Sequence, residues 1–341
     1  MAGLAGVAAL TVVGPLGPAG AAGAPRVAST AGAGRAPRVS GAAVAPGGPV
    51  RVPRAGTVAL GVAVADPGRP ASLDAYIAAA GRPPAIVEWS QSWSEPLFYP
   101  VQMKEVAALG AVPLVTWDPV AGGRGVPLSA VAGGRYDRYL RTAARAAASW
   151  GRPFFVRFAH EMNVRSSPFG PGAQGNNPAA FVAAWRHVVD LFRAEGATNV
   201  SWVWSPNVYC GGRCPFAAFY PGDAWVDWVA LDGYNYAAVD HVPWMSLDKV
   251  FEPSYDVLRS ITSKPVMIAE TASTGTGEDK AAWITQGLLH AVPADLPAVR
   301  AVVWFDRQKE TDWKVDSSPA SLAAFRQVVS SALYQGAFPA S

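Results

Sequence analysis

The feature that most constrains this 341-residue chain is an alternation. Short apolar runs of strand type are separated by longer segments whose apolar residues recur at helical spacing. Eight runs follow the rule, at 58–62, 85–89, 112–117, 154–160, 200–204, 228–232, 265–270 and 299–305. Helical spacing is clearest over 135–150, 178–195, 278–291 and 319–333. Strands that alternate with helices build parallel βαβ units, and eight such units predict a (β/α)8 TIM barrel, a single domain over 55–341. The competing fold, an open doubly wound sheet, would carry a Gly-rich phosphate loop after an early strand. The turn after Val62, AVADPGRP, holds neither GxGxxG nor GxxxxGK.

Composition supports a large core, with 50% hydrophobic and 16% charged residues. The formal charge of +3 has a local origin, because Arg26, Arg35, Arg38, Arg51 and Arg54 all precede the first acidic residue, Asp66. No basic stripe or nucleic-acid motif follows, so no nucleic-acid partner is expected. The apolar stretch 4–16 is too short to span a bilayer and is followed by Ala19, Ala21, Ala22 and Ala24, so 1–24 reads as a signal peptide. Residues 25–54, rich in Gly, Pro and Ala, read as a disordered linker. The expectation is a secreted, extracellular monomer with no membrane contact after export. Cys210 and Cys214, in CGGRC, fit a small disulfide-bonded loop; half of a zinc site would need a second Cys/His pair, and an inert free pair is the remaining alternative. No metal or organic cofactor is expected.

A (β/α)8 barrel works at the carboxyl ends of its strands. There the chain places Glu88-Trp89, Trp117-Asp118, His160-Glu161, Trp204, Asp232 to Asn235, Glu270 and Trp304 to Asp306. Aromatic rings stack on the apolar faces of sugars while carboxylates and amides bind hydroxyls, so a rim of this kind suits a carbohydrate. Cleavage of a glycoside with retention needs two carboxyl groups roughly 5 Å apart, one to protonate the leaving oxygen and one to attack the anomeric carbon. Glu161 and Glu270 fit, each directly after an apolar strand run on the fourth and seventh strands. A lone strand-end glutamate reads more simply as a salt bridge; the joint placement carries the argument. Arg157, inside the fourth strand, would face a low-dielectric interior and is expected to pair with acidic groups near the nucleophile.

The runs RFAHEMN, AWRHVVDLFRAEGATNVSWVWSPN, VDWVALDGYN, PVMIAETAS and VVWF, in that order, resemble glycoside hydrolase family 26. The resemblance covers the chain from about Arg54 to its end and implies a retaining enzyme of chiefly endo-β-mannanase activity. It implies Glu161 in HEMN as acid/base and Glu270 in IAET as nucleophile. It further implies His160 as a sugar-positioning residue, Tyr234 in DGYN as a hydrogen-bond donor to the nucleophile, and Trp304 as the floor beneath the cleaved sugar. Where the family carries an aromatic-rich run after the acid/base, this chain reads NVRSSPFG, with Phe169 standing for one of the aromatics. Trp89, Trp117 and Asn163 complete the substrate-binding candidates, with Asn207, Trp204, Trp244 and Asp306 as further rim residues.

The resulting expectation is a secreted retaining endo-β-glycanase that hydrolyses a β-1,4-mannan-type polysaccharide by double displacement. A β-1,3-1,4-glucanase or β-xylanase of the same family is the enzymatic alternative. From another class, a carbohydrate-binding barrel that had lost turnover would be indifferent to Glu270→Ala.

Overall fold

A computed structural model describes residues 47–339 except 67, 69, 209–214, 277 and 278. The expected signal peptide and Cys210 and Cys214 lie outside the described residues, as does the expected linker up to residue 46. Eight parallel strands close into a barrel: β1 Ala59–Ala63, β2 Ile86–Ser92, β3 Val112–Asp118, β4 Phe154–Phe158, β5 Val200–Trp204, β6 Trp228–Asn235, β7 Val266–Ser273 and β8 Val299–Phe305. Each strand pairs with its sequence neighbours and β8 closes on β1, Val62 lying opposite Trp304. The (β/α)8 TIM barrel expected from the alternation is the fold observed.

The longer helices are α1 Pro70–Ala80, α2 Pro100–Ala108, α3 Asp137–Trp150, α4 Pro178–Ala194, α5 Leu247–Ile261, α6 Lys280–Thr285 and α7 Pro319–Ser330. Their starts follow local chemistry. Asn177 caps α4 by accepting from the Ala180 N–H, Pro178 at its first position has no N–H to satisfy, and Ser318 with Pro319 repeats the device in α7. The apolar period expected over 278–291 runs as α6, then a π-helical turn over Gln286–Ala291, then Val292–Asp295. Among the described residues the β5–β6 connection carries 3-10 turns, Ala217–Phe219 and Asp223–Trp225, and no α-helix. None of the described helices is long and apolar enough to cross a membrane.

Pleating sorts every strand into two faces. Inward sets include Gly61 and Ala63 of β1 beside Ile86 and Glu88 of β2; a Cβ on Gly61 would sit 2.7 Å from that of Ile86, which fixes glycine there. Outward sets carry the large aromatics. Trp202 meets Trp185 and Phe192 of α4, Trp304 meets Phe325 of α7, and Trp117 meets Phe192, filling the layer between barrel and helices. At the amino-terminal end of the barrel, Phe338 packs edge-on against Phe155 and Trp228. Residues 47–54, the last part of the expected linker, also lie against the barrel. Val50 is buried and donates its N–H to Ser201 Oγ at 2.7 Å, and Arg300 holds the Arg54 carbonyl at 2.9 Å. The barrel is thus closed below and open at the carboxyl ends of its strands.

Candidate active site

β4 carries a guanidinium into the middle of the barrel. Arg157 is wholly buried, and its planar fork reaches four other strands. Nε donates to Thr116 Oγ1 at 2.8 Å, Nη1 to Asp232 Oδ1 at 2.7 Å, and Nη2 to Glu88 Oε1 at 3.3 Å and to Glu270 Oε1. Thr116 donates to Glu88 at 2.6 Å and Ser205 to Asp232 at 2.9 Å. A charge buried so deeply is tolerated only when paired and hydrogen-bonded. The sequence expectation that Arg157 pairs near the nucleophile is met: it binds Glu270 itself, together with Glu88 and Asp232. Burial pushes the Glu88 and Asp232 carboxyls upward, against the pull of Arg157.

Above this hub sit the two glutamates with unlike surroundings. Burial alone would raise Glu270, but Arg157, His160 and a hydrogen bond from Tyr234 at 2.5 Å outweigh it and hold its carboxyl at about 2. Glu161 goes the other way, raised by burial and by the charge of Glu270, with His160 and Asn207 opposing. One carboxyl is kept ionised as a nucleophile requires, and its neighbour is helped to hold a proton. Both keep partial exposure at the mouth of the barrel, as does Tyr234.

The chain reaches this arrangement through a break in the pleat. Adjacent strand residues face opposite ways, yet His160 and Glu161 both serve the mouth. Ala159 (φ 46°) and Glu161 (φ 51°) stand in the left-handed region, which costs a residue other than glycine about 1–2 kcal/mol. Bonds from Ala159 N to the Trp117 carbonyl (3.0 Å) and from Glu161 N to the Ser205 carbonyl (2.8 Å) hold the turn.

His160 bonds Asp118 through Nδ1 at 2.9 Å. Burial would lower its pKa, but Asp118 raises it further, to about 9. A histidine whose folded pKa lies above its unfolded value stabilises the fold fully below the unfolded value and ceases to do so as pH rises through the folded one. The difference in melting temperature between the wild type and His160→Gln is therefore expected to be constant below about pH 6.5 and to shrink toward pH 9. Taking the difference removes Lys280, whose pKa is lowered to about 8 by burial and whose contribution has the opposite sign. A difference that does not change with pH would contradict the His160–Asp118 ion pair.

The structure does not bring all candidates to the mouth. Trp89 and Trp117 are buried on the outward faces of β2 and β3; their indole N–H groups bond Gln91 Oε1 and the Tyr139 hydroxyl. Trp304, expected as the sugar floor, is likewise wholly buried beside Phe325 and Trp283 and donates to the Trp313 carbonyl. The reason is common to all three. Glu88, Thr116 and Val303 point inward, so the residue that follows each must point outward. Phe305 is the aromatic on the inner face of β8, its ring 5.6 Å from Tyr234. Trp204 is also buried outward, against Phe216 and Tyr220.

Phe169 is buried with its ring 6.3 Å from that of His160, so it packs against that histidine instead of facing the cleft. Asn163 is buried and clamps the backbone of Asn207 instead of facing the cleft. Asp306 accepts the Val315 N–H and shapes its loop. Sequence reasoning does not single out Thr116 or Ser205, and places Asp118 only among the rim carboxylates. Their signal was a polar residue within an otherwise apolar strand run or just past its end. Among the described residues no group of three or more His, Cys, Asp or Glu is arranged to hold a metal ion.

Comparison with known proteins adds a lineage to this geometry. The family model described as Glycosyl hydrolase family 26 matches residues 144–258, which carry Arg157, Glu161, Asn207 and Tyr234. Endoglucanase H of Acetivibrio thermocellus is 37% identical over 227 residues, 64% of this chain and 24% of that protein. Mannan endo-1,4-beta-mannosidase A and B of Caldalkalibacillus mannanilyticus is 38% identical over 92 residues, 25% of this chain and 17% of that protein. The chain thus spans about a quarter or less of the length of these two relatives. Among solved structures, the catalytic domain of a Bacillus sp. JAMB-750 endo-beta-1,4-mannanase superposes with a TM-score of 0.63 at 19% identity, covering 82% of this chain and 86% of that one.

Proposed function

From a chain that belongs to glycosyl hydrolase family 26, we infer a retaining endo-β-glycanase that works by double displacement. The observation that carries the reading is the opposed electrostatics of the two glutamates, with Glu270 held at about 2 and Glu161 raised. In the first step Glu270 attacks the anomeric carbon as the glycosidic bond breaks, and Glu161 gives its proton to the departing oxygen. In the second, Glu161 takes a proton from water as that water displaces Glu270 and restores the anomeric configuration. Arg157 and Tyr234 keep the nucleophile ionised and aimed, and His160 lies beside it to bind a sugar hydroxyl. Every group this sequence of steps requires is a side chain of the chain itself.

We propose a β-1,4-mannan-type polysaccharide as substrate, supported by the relative named a mannan endo-1,4-beta-mannosidase. A β-glucan is the second reading. It is favoured because the relative named Endoglucanase H is matched over a longer stretch. The leader expected at 1–24 accords with work on an extracellular polymer, so export belongs to the proposal. The test is release of reducing sugar from galactomannan, glucomannan, barley β-glucan, xylan and β-1,3-xylan in parallel. Hydrolysis of one mannan or glucan names the substrate, and a folded protein that cuts none of them overturns the reading in favour of a binding barrel.

A further inference from the structure

The loop after β5 holds a device that the two-glutamate mechanism does not itself require. Asn207 Nδ2 donates to Glu161 Oε1 at 2.6 Å. Asn207 is not left to find that position by chance. The Asn163 side chain grips its backbone from both sides, accepting from the Asn207 N–H at 3.0 Å and donating to its carbonyl at 2.9 Å. One further bond ties the same pieces together, Glu161 N to the Ser205 carbonyl at 2.8 Å, and another, Val208 N to the Asp232 carbonyl at 2.8 Å, anchors the β5 loop to β6. The β4 and β5 loops are therefore joined by hydrogen bonds around the Glu161 carboxyl.

We propose that Asn207, locked by Asn163, is a positioning residue that assigns the acid proton of Glu161 to Oε2. An amide N–H pointing at Oε1 is accepted better by a carbonyl oxygen than by a hydroxyl oxygen, so it favours the tautomer of protonated Glu161 that carries the proton on Oε2. The same donor stabilises the carboxylate that forms when the proton is passed on. A buried carboxyl would otherwise hold its proton on either oxygen, and only one oxygen can meet the leaving group. This inference rests on Glu161 being the acid/base.

The test uses the full chain with Asn207→Ala and the shape-conserving Asn207→Asp. Loss of the donor is expected to move the basic limb of the kcat/KM pH profile upward by about one unit in Asn207→Ala. Asn207→Asp, which sets a carboxylate against Glu161, is expected to move it further. At the optimum, kcat/KM for polysaccharide is expected to fall roughly 10- to 100-fold in Asn207→Ala. The loss for an aryl glycoside with a dinitrophenyl leaving group, which departs with little help from an acid, is expected to be about tenfold smaller. A second readout needs no turnover: the 13C-carboxyl NMR titration of Glu161 should shift upward in both variants. That titration decides the inference even if the wild type cleaves none of the polysaccharides, an outcome that would count against the proposed function alone. Three results would overturn the inference. These are an unmoved limb and titration in both variants, a downward shift in Asn207→Ala, which would mean that the amide oxygen faces the proton, and failure of both variants to fold.

Discussion

Glu270→Ala is expected to lower kcat on the natural polysaccharide by on the order of 10⁴-fold or more, because the group that attacks the anomeric carbon is gone. The fold should survive, since Glu270 is partly exposed at the mouth and its removal leaves Arg157 bound to Asp232, Glu88 and Thr116. The void left by the carboxylate admits a small anion. Azide should restore part of the activity toward an activated aryl glycoside and give the glycosyl azide of inverted, α configuration. Glu161→Ala should respond in the opposite sense, since Glu270 still forms the glycosyl intermediate and azide then displaces it to give the β-azide. The two variants tested side by side assign the roles by stereochemistry, independent of any rate. Azide products of the same configuration from both would refute the assignment.

The second large effect concerns stability. Arg157→Met removes the cation that Asp232 and Glu88 share at 0% and 1% exposure, and leaves both carboxyls without it inside the barrel. Breaking a buried pair from one side costs about 3–5 kcal/mol, far more than the pair contributes relative to well-packed apolar residues. The loss should depend on pH. Burial already raises both carboxyls, and without Arg157 their folded pKa values rise further above the unfolded ones. Such groups favour the folded state when protonated, so the variant should lose less stability at pH 5 than at pH 8. Urea denaturation of both proteins at the two pH values checks this, and a loss under 1 kcal/mol at pH 8 would refute it. Among the described residues, Arg307, 3.8 Å from Glu88, is the other cation paired with that carboxylate.

Much of this was legible from order and periodicity. All eight strand runs are strands, and the two glutamates stand where the fourth and seventh strands open into the mouth. What the sequence concealed is which face each residue takes. Strands of a parallel barrel are buried on both sides, so polar and apolar residues do not alternate to mark the faces. Trp89, Trp117 and Trp304 therefore read as rim aromatics in the sequence although each follows an inward residue. A parity rule corrects the first of them from sequence alone, because Glu88 and Trp89 are neighbours and cannot both enter the barrel. His160 and Glu161 break the rule, and only the left-handed backbone at Ala159 and Glu161 reveals how. Asn163 was legible as a neighbour of the acid/base, but its grip on Asn207 joins residues 44 apart in sequence and needs the barrel to be seen.

The central claim is that Glu161 and Glu270 act as acid/base and nucleophile in a double displacement. Its most direct test is the configuration of the first product. Oligosaccharide released from whichever β-glycan is cleaved can be followed by proton NMR in the first minutes, before mutarotation mixes the anomers. The account predicts that the β-anomer appears first and the α-anomer grows in later. The α-anomer appearing first would mean direct displacement by water, and would contradict a covalent intermediate on Glu270.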